Sequence, residues 1–272
     1  MLLNLKTIHK PATLAEALDL LKQAGTFPLY GGAALQRHPR PDVEAVVDLR
    51  QIGLDRAWEE GDSLHLGSML TLERVRLACQ ERGQTYPLLG GIAEALRADL
   101  PETLLNTLTL GDLLLERDPQ SVSLTLLLAL DAVIVTADES VWPLADWLAS
   151  GDDAWRVLVT HVSVPRGATR AAVAFEKVAR TPADAPIVGA VAAMQATGEG
   201  YRSALALCGV APWPLAQPAA ARAFDQSGEV NAALEHLVLD PPGDHWGSRE
   251  YRAEMARVLT RRALLAAAEK MQ

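Results

Sequence analysis

Pro28-Leu29-Tyr30-Gly31-Gly32-Ala33-Ala34-Leu35 runs a short apolar strand straight into twin glycines. Glycine has no Cβ and tolerates positive φ, so the backbone at such a bend can turn its N–H groups onto an anion. A Gly-Gly pair after a strand also serves as a plain turn, and both readings stay open at this point. Just upstream, Thr13-Leu14-Ala15-Glu16 is a capping-box pattern, and Leu14, Ala17, Leu18 and Leu21 recur at helical spacing until Gly25 offers a stop. Strands are expected over 27–30 and 45–49, with a loop containing Pro39 and Pro41 between them.

The 272 residues suffice for two domains of ordinary size or one large one. A hydrophobic content of 49% with 22% charged residues describes a folded chain rather than a disordered one. The formal net charge of −9 argues against a nucleic-acid-binding surface, because phosphate contacts need clustered Lys and Arg. Cys79 and Cys208 are the only cysteines, so a CxxC zinc site and a four-cysteine iron–sulfur cluster are excluded. Any redox role must use another cofactor. The start Met1-Leu2-Leu3-Asn4-Leu5-Lys6 lacks the pattern of a signal peptide, and no run approaches the ~18 apolar residues of a membrane span. A cytoplasmic protein without a membrane partner is the expectation.

Beyond residue 55 the pattern changes. Residues 56–59 and 63–67 flank Glu60-Gly61-Asp62 as a hairpin, and helices are expected over 72–79 and 88–96. Residues 124–130 read as a buried helix, 132–135 and 141–142 as a hairpin, and Pro143 as a helix start. A long strand is expected over 155–164, then a linker at Arg166-Gly167-Ala168-Thr169. Strands follow over 171–178, 187–194 and 201–208, with a turn at Gly198-Glu199-Gly200. Two helices close the chain. The last, over 249–270, presents Met255, Val258, Leu259, Ala263 and Leu265 for packing on that sheet.

Laid end to end, these pieces resemble the flavin-binding medium subunit of the molybdenum hydroxylases, the family of carbon monoxide and xanthine dehydrogenases. The likeness rests on Gly31-Gly32, Leu64-His65-Leu66-Gly67-Ser68 ahead of Thr71, and Asp118-Pro119 with Leu130-Asp131-Ala132. Phe175-Glu176-Lys177-Val178-Ala179-Arg180 and Gly247-Ser248-Arg249-Glu250-Tyr251-Arg252 extend it over nearly the whole chain. The resemblance implies an α+β fold: an FAD-binding part of the PCMH/CO-dehydrogenase flavoprotein type over 1–165, with subdomains of about 1–54 and 55–165. A C-terminal domain over 170–272 is then expected to hold a three-stranded antiparallel sheet with helices. It further implies FAD, and partners in the form of a molybdopterin-binding large subunit and a two-cluster iron–sulfur small subunit. Electrons would pass from the iron–sulfur partner through FAD to an external acceptor. No residue of this chain would be catalytic in its own right.

By the same resemblance, Tyr30, Gly31, Gly32, Ala33, Ala34 and Leu35 form the first cofactor loop, and Thr71, Thr109, Gly111, Asp112, Asp118 and Lys177 complete the cofactor-binding set. The family's second loop reads Thr-Ile-Gly-Gly-Asn; here it is Thr109-Leu110-Gly111-Asp112-Leu113. A carboxylate near a diphosphate repels it, and a branched side chain at a point of close approach adds a steric penalty. Ala33-Ala34 stand where the family has hydroxyl or carboxylate side chains, and Val122 stands for an aspartate. At ~1 to 3 kcal/mol for each lost hydrogen bond, four such changes weaken binding by powers of ten. The alternative reading is therefore a flavin-free paralogue acting as a scaffold or assembly component.

Lys177 reads either as a cation on the flavin side or as a solvated strand-end lysine. Arg252 is expected to tie the last helix to its domain, because buried Arg is usually paired. The six histidines show no metal-site spacing, and Cys79 is expected to be a buried, inert thiol.

Overall fold

The computed structural model describes residues 4–181 and 184–272. In chain order the elements are β1 (Thr7–His9), α1 (Leu14–Leu21), β2 (Thr26–Leu29), α2 (Ala33–Arg37), β3 (Ala45–Asp48), β4 (Ala57–Glu60) and β5 (Ser63–Gly67). Helices α3 (Leu72–Gly83), α4 (Pro87–Asp99), α5 (Glu102–Leu105), α6 (Leu110–Glu116) and α7 (Val122–Ala129) follow. Then come β6 (Val133–Thr136), β7 (Val141–Pro143), α8 (Leu144–Ala149) and β8 (Val159–Pro165). The chain ends with β9 (Ala171–Val178), β10 (Val188–Thr197), β11 (Gly200–Cys208), β12 (Leu215–Ala216), α9 (Pro218–Ser227), α10 (Val230–Glu235) and α11 (Arg249–Met271).

Two compact units are assembled from interleaved segments: residues 1–75, 102–116 and 133–164 in the first, and 76–101, 117–132 and 165–272 in the second. The first holds a parallel sheet in the order β1-β3-β2, in which Thr7 and Thr26 both pair with Ala45. Helix α1 begins at the cap its sequence marks: Thr13 Oγ1 accepts from the Glu16 N–H at 3.2 Å, and Glu16 reaches back past the cap residue to accept from the Ala12 N–H at 2.9 Å. Beside this sheet in sequence lies a five-stranded sheet, β4-β5-β8-β6-β7. Its first hairpin turns where expected, with Glu60 opposite Ser63.

Strand β8 starts at Val159, four residues later than expected, because Gly151–Arg156 coils into a 3₁₀ turn. Ala154 and Trp155 are buried from this turn, and their apolar side chains make the segment read as a continuation of the strand. Helix α6 was also not foreseen. Leu110 through Leu115 are buried on every side, so the segment carries no amphipathic period by which to recognise it.

In the second unit β9, β10 and β11 form the expected antiparallel sheet, with Ala192 opposite both Ala174 and Leu205, and the two-residue β12 adds to its edge. Alternate residues of β10 serve opposite faces. Val188, Ala190, Ala192 and Met194 pack with α11, while Gly189 lies against Val122 of α7. Burial on both faces explains why β10 reads as an unbroken apolar run. Helix α11 buries Arg252, Ala256, Leu259, Thr260, Ala263, Leu264, Ala267 and Met271. Leu264, rather than Leu265, takes the core position: Leu265 falls one step off the 3.6-residue stripe and is 54% exposed.

Arg252 ties α11 down. Its guanidinium donates to the carbonyls of Ile187 and Gly209, and to both Asp244 oxygens at 2.9 and 2.8 Å. The Arg252 partner holds the Asp244 carboxyl below its ordinary range. Both cysteines are free and buried. Burial pushes the thiols of Cys79 and Cys208 up to about 12, so neither supplies thiolate near neutral pH.

Candidate functional site: a filled cradle between two glycine bends

The bend after β2 is built as its sequence demands. Gly32 takes φ +91°, a left-handed conformation that needs glycine, and α2 begins at the next residue. Tyr30 points into the core, 3% exposed, where its hydroxyl accepts from the Val159 N–H at 2.7 Å. Burial raises that phenol well above its ordinary value. Its ring lies where a Cβ on Gly111 would sit, 2.2 Å from Tyr30 Cδ1, so the two bends are pressed together across Tyr30 and Gly111.

Residues 68–72 cross 108–111 by backbone hydrogen bonds: Gly111 N–H donates to Ser68 O at 2.8 Å, Leu110 N–H to Leu70 O, and Leu72 N–H to Leu108 O. Thr71 bridges Thr109 at this crossing, and its hydroxyl accepts from the Arg74 N–H at the start of α3. The fold thus gathers Tyr30, Gly31, Gly32, Ala33, Ala34, Leu35, Thr71, Thr109, Gly111 and Asp112 within the first unit.

What fills the space between the bends is the Asp112 side chain, which is 1% exposed. Its Oδ1 accepts from the Gly32 N–H at 3.1 Å and the Ala34 N–H at 3.2 Å. Its Oδ2 accepts from the Thr109 N–H at 3.2 Å and the Thr109 hydroxyl at 2.9 Å. Thr109 Oγ1 in turn accepts from the N–H groups of Gly31 and Asp112, each at 3.2 Å. A Cβ on Gly31 would meet Asp112 Oδ2 at 2.2 Å, so the room that glycine opens is taken by the carboxylate.

These donors and this room are what an FAD diphosphate would need, and the residues present do not fit it while Asp112 holds them. The cradle shape survives, and an internal anion occupies it. Leu113, the next residue, is 4% exposed and offers no polar atom. Ala33 and Ala34 contribute backbone alone. Leu35 is a core residue of the first unit, 2% exposed.

Asp118 and Lys177 belong to the second unit. Asp118 Oδ1 accepts from the Gln120 N–H at 2.9 Å, an Asx turn leading into α7. Lys177 is half-buried, and its Nζ donates to Ala98 O at 2.9 Å. Sequence reasoning missed Asp99. Its carboxylate accepts from the Ser121 hydroxyl at 2.8 Å and from the N–H groups of Val122 and Ser123, capping α7 from 22 to 24 residues away. Burial raises the Asp99 carboxyl, against those hydrogen bonds. No local motif announces a cap supplied from such a distance.

Trp58 stacks on His65 at 5.0 Å, and His161 stands edge-on to His65 at 5.2 Å. Burial and the neighbouring imidazole lower the His161 ring's affinity for a proton. Among the described residues no three His, Cys, Asp or Glu side chains group to hold a metal, and no helix is long and apolar enough to cross a membrane.

The chain is 28% identical over 279 residues to the carbon monoxide dehydrogenase medium chain of Afipia carboxidovorans, an alignment covering 94% of each protein. Its fold superposes on a chain of the Hydrogenophaga pseudoflava carbon monoxide dehydrogenase with a TM-score of 0.84 at 24% identity, covering 98% of both. A chain of quinoline 2-oxidoreductase from Pseudomonas putida matches with a TM-score of 0.80 at 22% identity, again covering 98% of both. Residues 4–167, more than half of the chain, match the family described as the FAD binding domain in molybdopterin dehydrogenase. FAD is the cofactor of that family, and its members are oxidoreductase subunits. The strand, the twin glycines, the crossing at Thr71 and Thr109, and these matches agree: the chain belongs to the FAD-binding domain family of molybdopterin dehydrogenases, as a homologue of the molybdenum hydroxylase medium subunit.

Proposed function

We propose that this chain takes the medium-subunit place in a cytoplasmic molybdenum hydroxylase complex, beside a molybdopterin-binding large subunit and a two-cluster iron–sulfur small subunit. Its FAD-binding-type part spans 1–165 and its C-terminal domain 170–272. The family match over residues 4–167, together with the 94% coverage of a carbon monoxide dehydrogenase medium chain, supports this place in the assembly. In such a complex the medium subunit's task is to pass electrons from the iron–sulfur partner to an external acceptor, with FAD supplying the redox chemistry when it is bound. This chain's own contribution is the paired bend that Tyr30 and Gly111 hold together.

A second reading, a flavin-free scaffold or assembly component, is favoured by one observation: the Asp112 carboxylate already uses the Gly32, Ala34 and Thr109 donors. Both readings share the place in the complex and differ in whether electrons pass through this subunit. Co-expression with a molybdopterin-binding large subunit and a two-cluster iron–sulfur small subunit from the same source, followed by affinity purification on this chain, tests the place. A three-component complex is the expected result; recovery of the chain alone would refute it. An oxidised-flavin absorbance matching one FAD per chain would select the relay, and a colourless complex the scaffold.

A further inference from the structure

We propose that Asp112 is a built-in stand-in for the cofactor's diphosphate, so that this chain closes its own cradle and takes up FAD weakly unless that carboxylate is removed. The proposal rests on the medium-subunit reading only for the identity of the ligand that is kept out. An ionised carboxylate offers about four lone-pair sites on two oxygens, and here it receives four hydrogen bonds. Three come from backbone N–H groups of both bends and one from the Thr109 hydroxyl. The donors of an anion cradle are consumed from within.

Space is consumed as well. Oδ2 sits within 2.2 Å of where a Gly31 Cβ would be, the volume that the twin glycines leave clear. An entering diphosphate would have to displace a ligand tethered in place, which competes at a high effective concentration. It would also approach a buried charge of its own sign, a repulsion that low local dielectric enlarges. Both effects act in the same direction, and both vanish with one side chain.

The experiment titrates FAD, and separately inorganic pyrophosphate, into the full-length chain by calorimetry and flavin fluorescence, using wild type, D112G, D112N and D112S. Freeing three or more donors for a phosphate predicts a Kd for FAD at least about tenfold lower in D112G than in wild type. Pyrophosphate alone is expected to follow the same order, since it carries only the excluded group. D112N still fills the volume and is expected to gain less than D112G. D112S clears the carboxylate with a smaller change in backbone freedom and carries the comparison if D112G does not fold.

Wild type that purifies with one FAD per chain would overturn the proposal. So would a folded D112G or D112S that binds no more tightly than wild type. The partner pull-down reads independently: a variant that gains FAD but recruits no partner subunit sinks the medium-subunit reading alone. A chain that assembles while Asp112 variants leave FAD affinity unchanged sinks this inference alone.

Discussion

Replacing Asp112 by Ala strips four hydrogen bonds from a carboxylate that is 1% exposed, and leaves the N–H groups of Gly32, Ala34 and Thr109 without their acceptor. Hydrogen bonds to a charged group contribute ~1.5 to 3 kcal/mol each, but four that share one side chain do not add. Gly31 is exposed, so water reaches one side of the emptied cradle and recovers part of the loss. The carboxylate's own desolvation cost also disappears. A net destabilisation of about 3 kcal/mol is expected, against a total stability of roughly 5 to 15 kcal/mol for a typical domain. Each kcal/mol moves Tm by ~2 to 4 °C at sizes of ~150–250 residues, so the fall should be about 6 to 12 °C. Scanning calorimetry measures it. Pyrophosphate then supplies the test of mechanism: an anion binding the emptied donors restores about 2.7 kcal/mol at a hundredfold excess over its Kd. A Tm fall below about 2 °C, a value typical of mutations that touch nothing, would refute the bond network described for Asp112.

Gly111→Ala should cost about 1 to 3 kcal/mol by overpacking, because its Cβ would sit 2.2 Å from the Tyr30 ring; thermal unfolding checks it against Gly198→Ala, which meets nothing within 4 Å. Arg252→Met leaves the Ile187 and Gly209 carbonyls without their donor, and faster amide exchange in β10 and β11 is the expected signature. That pair also has a pH signature. The folded Asp244 carboxyl lies below its ordinary value of 3.8, so its contribution is fully present above that pH and is lost as pH falls through the depressed value. The Tm gap between wild type and Arg252→Met should therefore narrow below pH 3.8, and a gap that widens on acidification would contradict the pairing. Both thiols, pushed up to about 12, should resist a thiol reagent at pH 8 in the native chain and react as two per chain in denaturant.

Much of the second unit was legible because its signals are local. Residues 171–178 and 201–208 alternate or run apolar between turns, and the observed β9 and β11 differ from them by at most one residue at an end. The capping box at Thr13 likewise specified α1 through contacts no more than four residues apart. Helix α6 escaped because burial on all sides erases the periodicity that distinguishes one element from another, and the 3₁₀ turn at Gly151–Arg156 escaped because buried Ala154 and Trp155, flanked by exposed Asp152 and Arg156, are too short a run to carry a period. The choice of Leu265 over Leu264 failed for a finer reason: one residue is 100° of helix, and only the packed sheet says which way α11 turns.

The site divides along the same line. Chain chemistry alone set the bend, since Gly32 must accept a left-handed φ, while the resemblance to the flavin-binding medium subunit marked Asp112 as a charge out of keeping with a diphosphate. Neither could say where that charge would go. A carboxylate beside an anion site can point to solvent, pair with a cation or turn inward, and these outcomes share one sequence. Tertiary structure chose the last by bringing Gly32 within hydrogen-bonding reach of a residue 80 positions away, where the Tyr30 ring packs against Gly111 and holds the two bends together. Buried N–H groups must be satisfied, and the nearest acceptor that folding supplied was the protein's own side chain.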